Sequence, residues 1–302
     1  MTLRDLAGAA RDAAVRFARA FAADPRHYQM SVQAALLLFG LAALDFEVTA
    51  ARAGLTISAC LASQWLGSRF VRPAPFEWRS ALISGTGLCL LLRTDSAALA
   101  VATCALSVLS KFFIRVNGKH LFNPTCFGLA AMMALRQGIW VSAGQWGHAA
   151  LVGFAIGSLG SLVVTRAARA DVSLGFLGAW AALLFGRAAW LGQPWAAPLH
   201  VLSNGSVLLF AFFMISDPRT TPDSRLGRLI FVTAVAVGAG VVQFALYRTN
   251  ALIWSLAACA PLVPLLDRWL PGARHAWRRD ANSSHSKGGS HASLPTLVPA
   301  RA

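Results

Sequence analysis

Three short polar groups interrupt otherwise apolar sequence, and their residue types suit holding a polar ligand in a nonpolar medium. The first is Asn123-Pro124-Thr125, near the start of the stretch LFNPTCFGLAAMMAL. Proline lacks an amide hydrogen and crowds the carbonyl four residues before it, here that of His120. Asparagine followed by proline is also a helix N-cap followed by the favoured first-turn residue. A helix is therefore expected to start at Asn123, at membrane depth, with free N–H groups and a positive dipole end that can receive an anion or the polar edge of a ring. The second group, Ser84-Gly85-Thr86-Gly87, lies in ISGTGLCLLL, and the third, Ser203-Asn204-Gly205-Ser206, in LSNGSVLLFAFF. Both are expected to interrupt their helices. The competing reading of such small residues is tight helix packing.

The elements that must position these groups are transmembrane helices. The 302-residue chain is 56% hydrophobic and only 13% charged, against about 25% charged in soluble domains. Ten apolar segments lie at roughly 31–46, 49–67, 80–93, 96–114, 120–136, 146–165, 172–191, 197–216, 227–246 and 250–267. Several are shorter than the ~20 residues of an upright span, so their boundaries are soft. With the amino terminus inside, the outer connections hold only Arg52, Arg93, Arg136 and Arg248. Arg187 falls within the seventh segment, and the remaining arginines and all the lysines lie on the inner side. This positive-inside bias predicts ten spans with both termini in the cytoplasm. It also accounts for the net charge of +15 without nucleic acid as a partner.

The two groups around residues 84–87 and 203–206 fall in the third members of two five-segment halves. An odd number of spans per half gives the halves opposite orientation, and matched interruptions point to an inverted-repeat transport fold with a central site. Residues 1–29 read as a cytoplasmic N-terminal region. Within it Leu3, Leu6, Ala10, Ala13, Phe17 and Phe21 mark one face of an amphipathic surface helix. Residues 30–270 form the membrane domain, and 271–302, rich in Arg, His, Ser, Gly and Pro, read as a disordered cytoplasmic tail. No cleaved signal peptide is expected, because the first apolar run starts after residue 30. The five cysteines form no CxxC pair and read as small buried hydrophobes. No metal ligand set, dinucleotide fingerprint, Walker loop or nucleophile elbow is present.

Other polar groups are less specific. His120, His148 and His200 lie near segment ends, where an imidazole is tolerated, and ligation of a b-type haem by two of them is a minor alternative. The turn MISDPRTTPDSRLGR, 214–228, carries Arg219, Arg225 and Arg228. These suit an anionic headgroup, a partner subunit, or ordinary membrane anchoring.

Two stretches carry a resemblance. RVNGKHLFNPTCFGL (115–129) and GSVLLFAFFMISDPRTTPDSRLGR (205–228) resemble the GKHxFNPAxFG and GxxFFMxTDPxTxP stretches of the RnfD/NqrB family. These are membrane subunits of Rnf-type complexes and of sodium-translocating NADH:quinone oxidoreductase. The resemblance implies an all-α polytopic fold, flavin-mediated electron transfer coupled to cation movement, and other membrane subunits as partners beside membrane lipids. It makes Asn123, Pro124, Thr125, Ser84, Thr86, Ser203, Asn204, Gly205 and Ser206 the candidate flavin-binding residues, with capped helix starts suited to a flavin phosphate or ring edge. Family members that hold FMN covalently do so through a threonine in a Ser-Gly-Ala-Thr-like stretch of the loop after the fifth segment. Here that loop, RQGIWVSAGQWGH (136–148), has no threonine. Noncovalent FMN or riboflavin is therefore the expectation, and covalent FMN is not expected. The alternatives are a cation or small-solute transporter without redox chemistry, or a docking subunit.

Overall fold

The computed structural model describes residues 8, 11–12, 15, 21, 24–43, 47–71, 74–135, 138–141, 159–161, 163–165 and 168–274. Pro25–Ala273 form one compact unit. Met1–Asp24 and Arg274–Ala302 form a second. Of the second unit, Gly8, Arg11, Asp12, Val15 and Phe21 are helical, and Asp24 N–H donates to the Phe21 carbonyl at 3.5 Å. Most of the expected surface helix and the tail beyond Arg274 lie outside the described residues, as does His148.

The compact unit is helical. In its N-terminal half, α1 (Pro25–Ala43) is followed by α2 (Ala50–Leu66), which runs on into a wider π turn over Gly67–Val71. Then come α3 (Trp78–Leu91), α4 (Ala97–Phe113) and α5 (Pro124–Leu135). The C-terminal half has α6 (Ala170–Trp190), α7 (Ala196–Leu202) and α8 (Gly205–Leu209), the last extended by a π turn over Phe210–Met214. It continues with α9 (Arg225–Gly240) and a π turn Val241–Ala245, then α10 (Ala251–Cys259) and α11 (Leu262–Trp269). Among the described residues, four two-residue strands make two small antiparallel ribbons. β1 (Leu92–Arg93) pairs with β4 (Trp140–Val141), and β2 (Arg115–Val116) with β3 (Lys119–His120).

Polar residues set the helix starts. Thr49, Ser96 and Ser224 each place a side-chain oxygen on an N–H three residues on, those of Arg52, Leu99 and Gly227. This satisfies one of the donors that a helix start leaves open. Two helices, Ala170–Trp190 and Arg225–Ala245, are 21 residues long and apolar enough to cross a membrane. At 1.5 Å per residue each spans about 30 Å, the thickness of the hydrocarbon core. Two bent pairs qualify when each is taken as one span: 196–202 with 205–214, bent by 49°, and 251–259 with 262–269, bent by 47°. Large apolar side chains such as Leu38, Phe113, Leu135 and Trp190 are exposed, as lipid-facing side chains are.

The helices coincide with nine of the ten apolar segments read from sequence; the sixth, 146–165, lies mostly outside the described residues. Packing follows one plan in each half. The second helical segment packs on the third and fourth, and the fourth on the fifth: α2 with α3 and α4, α4 with α5; α6 with α7 and α9, α9 with α10. Both fourth–fifth crossings place a glycine on a serine. A side chain at Gly128 of α5 would run into Ser107 of α4, and one at Gly238 of α9 into Ser255 of α10. Across the halves, α5 packs on α10.

One expectation is corrected. Ser84-Gly85-Thr86-Gly87 does not interrupt its helix, because α3 runs unbroken from Trp78 to Leu91. The hydroxyls of Ser84 and Thr86 donate to the carbonyls of Ser80 and Leu82, at 3.0 and 2.8 Å. Back-bonded hydroxyls are satisfied within the helix that carries them. The glycines serve packing instead: a Cβ at Gly85 would touch Cys60 and Ile57 of α2 at 3.4 Å. The third group does break its helix, with α7 ending at Leu202 and α8 beginning at Gly205.

Candidate functional site

The site is built where the β2–β3 hairpin and the start of α5 meet the segment 214–228. The hairpin turns through Asn117 and Gly118, both at positive φ (50° and 78°), a conformation that asparagine and glycine adopt most readily. The turn presents Lys119. Its Nζ donates to Asp223 Oδ1 at 3.0 Å, to Asp267 Oδ2 at 2.8 Å and to the Thr221 carbonyl at 2.8 Å. The lysine side chain is 11% exposed and the two carboxylates 13% and 16%. Asp267 Oδ1 also accepts the Asp223 N–H at 2.7 Å. One ammonium from the N-terminal half thus ties together the loop before α9 and the end of α11.

Four residues on, Asn123 makes a second tie. Its Oδ1 accepts the N–H of Cys126 at 3.1 Å, the expected N-cap bond, and its Nδ2 donates to the carbonyl of Met214 at 3.2 Å. That carbonyl lies at the end of the π turn 210–214. The asparagine therefore starts α5 and at the same time binds it to the C-terminal half.

Around these ties lies a ring of ionisable groups. Arg228 reaches Asp171 Oδ2 through Nε and Nη2, at 2.8 and 2.7 Å, and the Asp223 carbonyl through Nη1 at 2.8 Å. Buried Arg169 donates to Thr221 Oγ1 at 3.3 Å, and burial lowers its pKa from the ordinary value. Buried Lys111, on α4, donates to Ser80 Oγ at 2.9 Å. Burial raises the carboxyl of Asp217 above its usual range, opposed by the Arg219 N–H bond at 3.0 Å and by the charges of Arg219, Lys111 and Arg169. His120, in the hairpin outside the helices, is held neutral. Burial first, then the charges of Arg115, Arg219 and Lys111, bring it down to about 3. Its Nδ1 is buried and finds no hydrogen-bond partner among the described residues.

The sequence-derived site residues divide into two groups. Thr86, Thr125 and Asn123 come together, and Gln33 of α1 joins them: Gln33 Oε1 lies 2.9 Å from Thr86 Oγ1, and a Cβ at Gly87 would lie 3.3 Å from Thr125 Oγ1. Ser84 sits one turn earlier on α3, and Pro124 is the buried first residue of α5. Ser203, Asn204, Gly205 and Ser206 lie apart at the α7–α8 break. There Asn204 Oδ1 caps α8 through Ser206 N–H and Oγ at 3.0 and 2.9 Å, and Ser203 is exposed.

A flavin fits these groups unevenly. Ser84, Thr86, Asn123, Pro124 and Thr125 are closely packed, and the side chains of Ser84, Thr86 and Asn123 are committed to protein hydrogen bonds. They leave no cradle for an isoalloxazine. At the α7–α8 break the exposed Ser203 hydroxyl donates to the His200 carbonyl at 3.1 Å, and the Asn204 amide nitrogen makes no hydrogen bond among the described residues. The loop 136–148, the place for a covalent attachment, is described only at residues 138–141.

Sequence reasoning singled out Asn123, the stretch 115–129 as a whole and the 214–228 turn. It missed Gln33, Lys119 as a clamp, Asp171 and Asp267. Lys119 had a signal, because a lysine beside an apolar helix start calls for a counter-ion. Asp267, at the end of the last apolar segment, had none that distinguished it from a solvated end.

Comparison with known proteins bears on the same region. The NQR2, RnfD, RnfE family model matches residues 132–274. This range contains the 214–228 turn and begins just after the 115–129 stretch. The curated relatives are each a component of an ion-translocating oxidoreductase complex, the one designated D. That of Halorhodospira halophila is 35% identical over 74 residues, covering 24% of this chain and 20% of that protein. Its namesake from Stutzerimonas stutzeri is 39% identical over 74 residues, 23% of this chain and 20% of that protein. The one from Shewanella amazonensis is 32% identical over 165 residues, 50% of this chain and 47% of that protein. The chain thus aligns with less than half the length of the curated relatives it matches.

Proposed function

We propose, for a chain that belongs to the NQR2, RnfD, RnfE family, the role of an integral membrane subunit in an Rnf/Nqr-like electron-transport system, where electron transfer through flavin is coupled to cation movement. The observation that carries this reading is the meeting of the two motifs behind the resemblance. Residues 115–129 and 205–228 are far apart in sequence, yet Lys119 and Asn123 of the first bond directly to Thr221, Asp223 and Met214 of the second. A charged joint between two helical halves gives ion movement something to act on. Each carboxylate that gains or loses a cation partner there changes how tightly the halves are held.

In this reading the chain has ten spans in two inverted halves of five, lies in the bacterial inner membrane, and keeps both termini and the charged joint on the cytoplasmic side. The shared packing plan of the halves and the alternation of the loops support it. Arg52 and β1–β4 lie at the end opposite Lys119, and Arg169, Asp223 and Asp267 at the same end as Lys119. A flavin, FMN or riboflavin, binds noncovalently; Ser203 and Asn204 are the residues that would hold its polar edge, and it would supply one- and two-electron redox chemistry.

The second reading, a cation or solute transporter without redox chemistry, is favoured by the closed packing of Thr86, Asn123 and Thr125. An absorption spectrum of the purified protein, with intact mass before and after denaturation, separates the two. A flavin band lost on denaturation, and weakened by Asn204→Ala, is the expected result. A folded, colourless protein of bare mass overturns the redox reading. A mass increment that survives denaturation overturns the noncovalent one.

A further inference from the structure

Between α1, α3 and α5 lies a polar pair that the helices leave unsatisfied. Gln33 of α1 is 3% exposed and Thr125 of α5 is 7% exposed. The two flank the side-chain position that Gly87 of α3 leaves open. A Cβ there would lie 3.3 Å from Thr125 Oγ1 and 3.8 Å from the outer end of the Gln33 amide, the end that does not meet Thr86. Among the described residues neither Thr125 Oγ1 nor that end of the amide has a hydrogen-bond partner. Gln64 Oε1 and Ser107 Oγ are unpartnered too, but they are sealed, whereas Thr125 Oγ1 and the amide end keep accessible surface.

Other hydroxyls of these helices bond within the protein. Ser84, Thr86 and Thr103 donate to carbonyls one turn back, at 3.0, 2.8 and 2.7 Å. Thr125 has no such route. It is the second residue of α5, so the residue four before it, Leu121, lies outside the helix. The proton of Thr86 lies on the Leu82 carbonyl. The Gln33 amide therefore bonds to Thr86 Oγ1 through its NH2 group, since the two ends of an amide are assigned by their partners. That turns the Gln33 carbonyl oxygen towards Gly87 and Thr125. A buried acceptor and a buried hydroxyl cost free energy unless a third group bonds them. A water molecule does so, donating to the carbonyl and either donating to or accepting from the hydroxyl. The positive dipole end of α5, beside Thr125, disfavours a cation in the same place.

We infer that one water molecule is bound between Gln33, Gly87 and Thr125, and that it ties α1, α3 and α5 together inside a bundle whose lipid surroundings offer no hydrogen bonds. The site does not rest on flavin or on electron transfer.

The test uses the full chain in mild detergent, imaged at a resolution that shows ordered water. One density peak is expected within hydrogen-bond distance of both Thr125 Oγ1 and the Gln33 amide. Thr125→Val supplies the energetic test, because it keeps the branched shape and removes the hydroxyl. Loss of a hydroxyl bonded through water lowers the melting temperature by about 2–4 °C, whereas replacing an unsatisfied hydroxyl by a methyl raises it. Gly87→Ala improves helix propensity but fills the space, so the peak should vanish and the melting temperature fall. The proposal is overturned by a map that shows other ordered waters and no peak here, by Thr125→Val melting at or above the parent chain, or by a peak retained in Gly87→Ala. A melting temperature raised by sodium over potassium, with the rise lost in Thr125→Val, would put a cation at the site and overturn it as well. Should Gly87→Ala fail to fold, the map and Thr125→Val decide.

Discussion

Lys119 is the residue on which the joint between the halves turns. Its ammonium faces two carboxylates that are themselves only 13% and 16% exposed. Removing it leaves like charges together in a poorly solvated place. Removing one partner of a buried pair typically costs about 3–5 kcal/mol; the partial exposure here places Lys119→Met at about 2 kcal/mol. Thermal melts in detergent should show that loss, and the double change Asp223→Asn with Asp267→Asn in the Lys119→Met background should recover part of it. A melt unchanged by Lys119→Met would remove the clamp from the account.

His120 gives a pH signature at the same scale. The folded protein holds it neutral down to about 3, whereas an unfolded histidine takes up a proton near 6.5. Below about 6.5 the unfolded state therefore binds more protons, and stability contributed by neutral His120 falls as pH drops from about 6.5 towards 3. Asp217, raised by burial, acts the other way: the folded state holds its proton longer, and stability declines as pH rises through its raised pKa. Melting temperatures between pH 7 and pH 5 should fall less in His120→Asn than in the parent chain. Equal slopes would contradict the assignment.

At the scale of elements, the start of α5 was legible because Asn-Pro has a local meaning: the cap and the first-turn residue act on their own few neighbours. Ser84–Gly87 was misread as a break because the same residues admit two outcomes. Hydroxyls that bond back to the preceding turn, with glycines that let α2 approach, leave α3 intact. Which outcome wins depends on a neighbour that sequence does not show. The Lys119 partners were hidden for the same reason, since Asp267 lies 148 residues away. Asn123→Ala removes the α5 cap and the tie to Met214 together. The expected loss is about 1–3 kcal/mol, larger than for Ser224→Ala, which removes only the side-chain bond to Gly227 N–H at 3.0 Å. Gly128→Val, which forces α5 away from Ser107, should abolish folding into a monodisperse species, as gel filtration will show.

For the whole molecule, hydropathy located the helices. Among the described residues nine apolar segments are helical, the form in which a backbone in an apolar medium satisfies itself internally. The relation of the halves was only partly legible: their sequences do not align residue by residue, but their helices pack in the same order. Reporter fusions at residues 72, 167 and 302 should all report the cytoplasm, and fusions at 45, 137 and 193 the opposite side. A reporter at 302 on the side opposite the one at 72 would contradict an even number of spans.

The central claim is membership in a multi-subunit electron-transport system, and it is tested most directly by what accompanies the protein. The chain, tagged at its carboxyl terminus and extracted from its native membranes in mild detergent, should bring down other integral membrane subunits and a redox-active component in fixed ratio. Lys119→Met, which loosens the joint, should lower that yield. A chain that comes down alone, folded and monodisperse, would contradict the account.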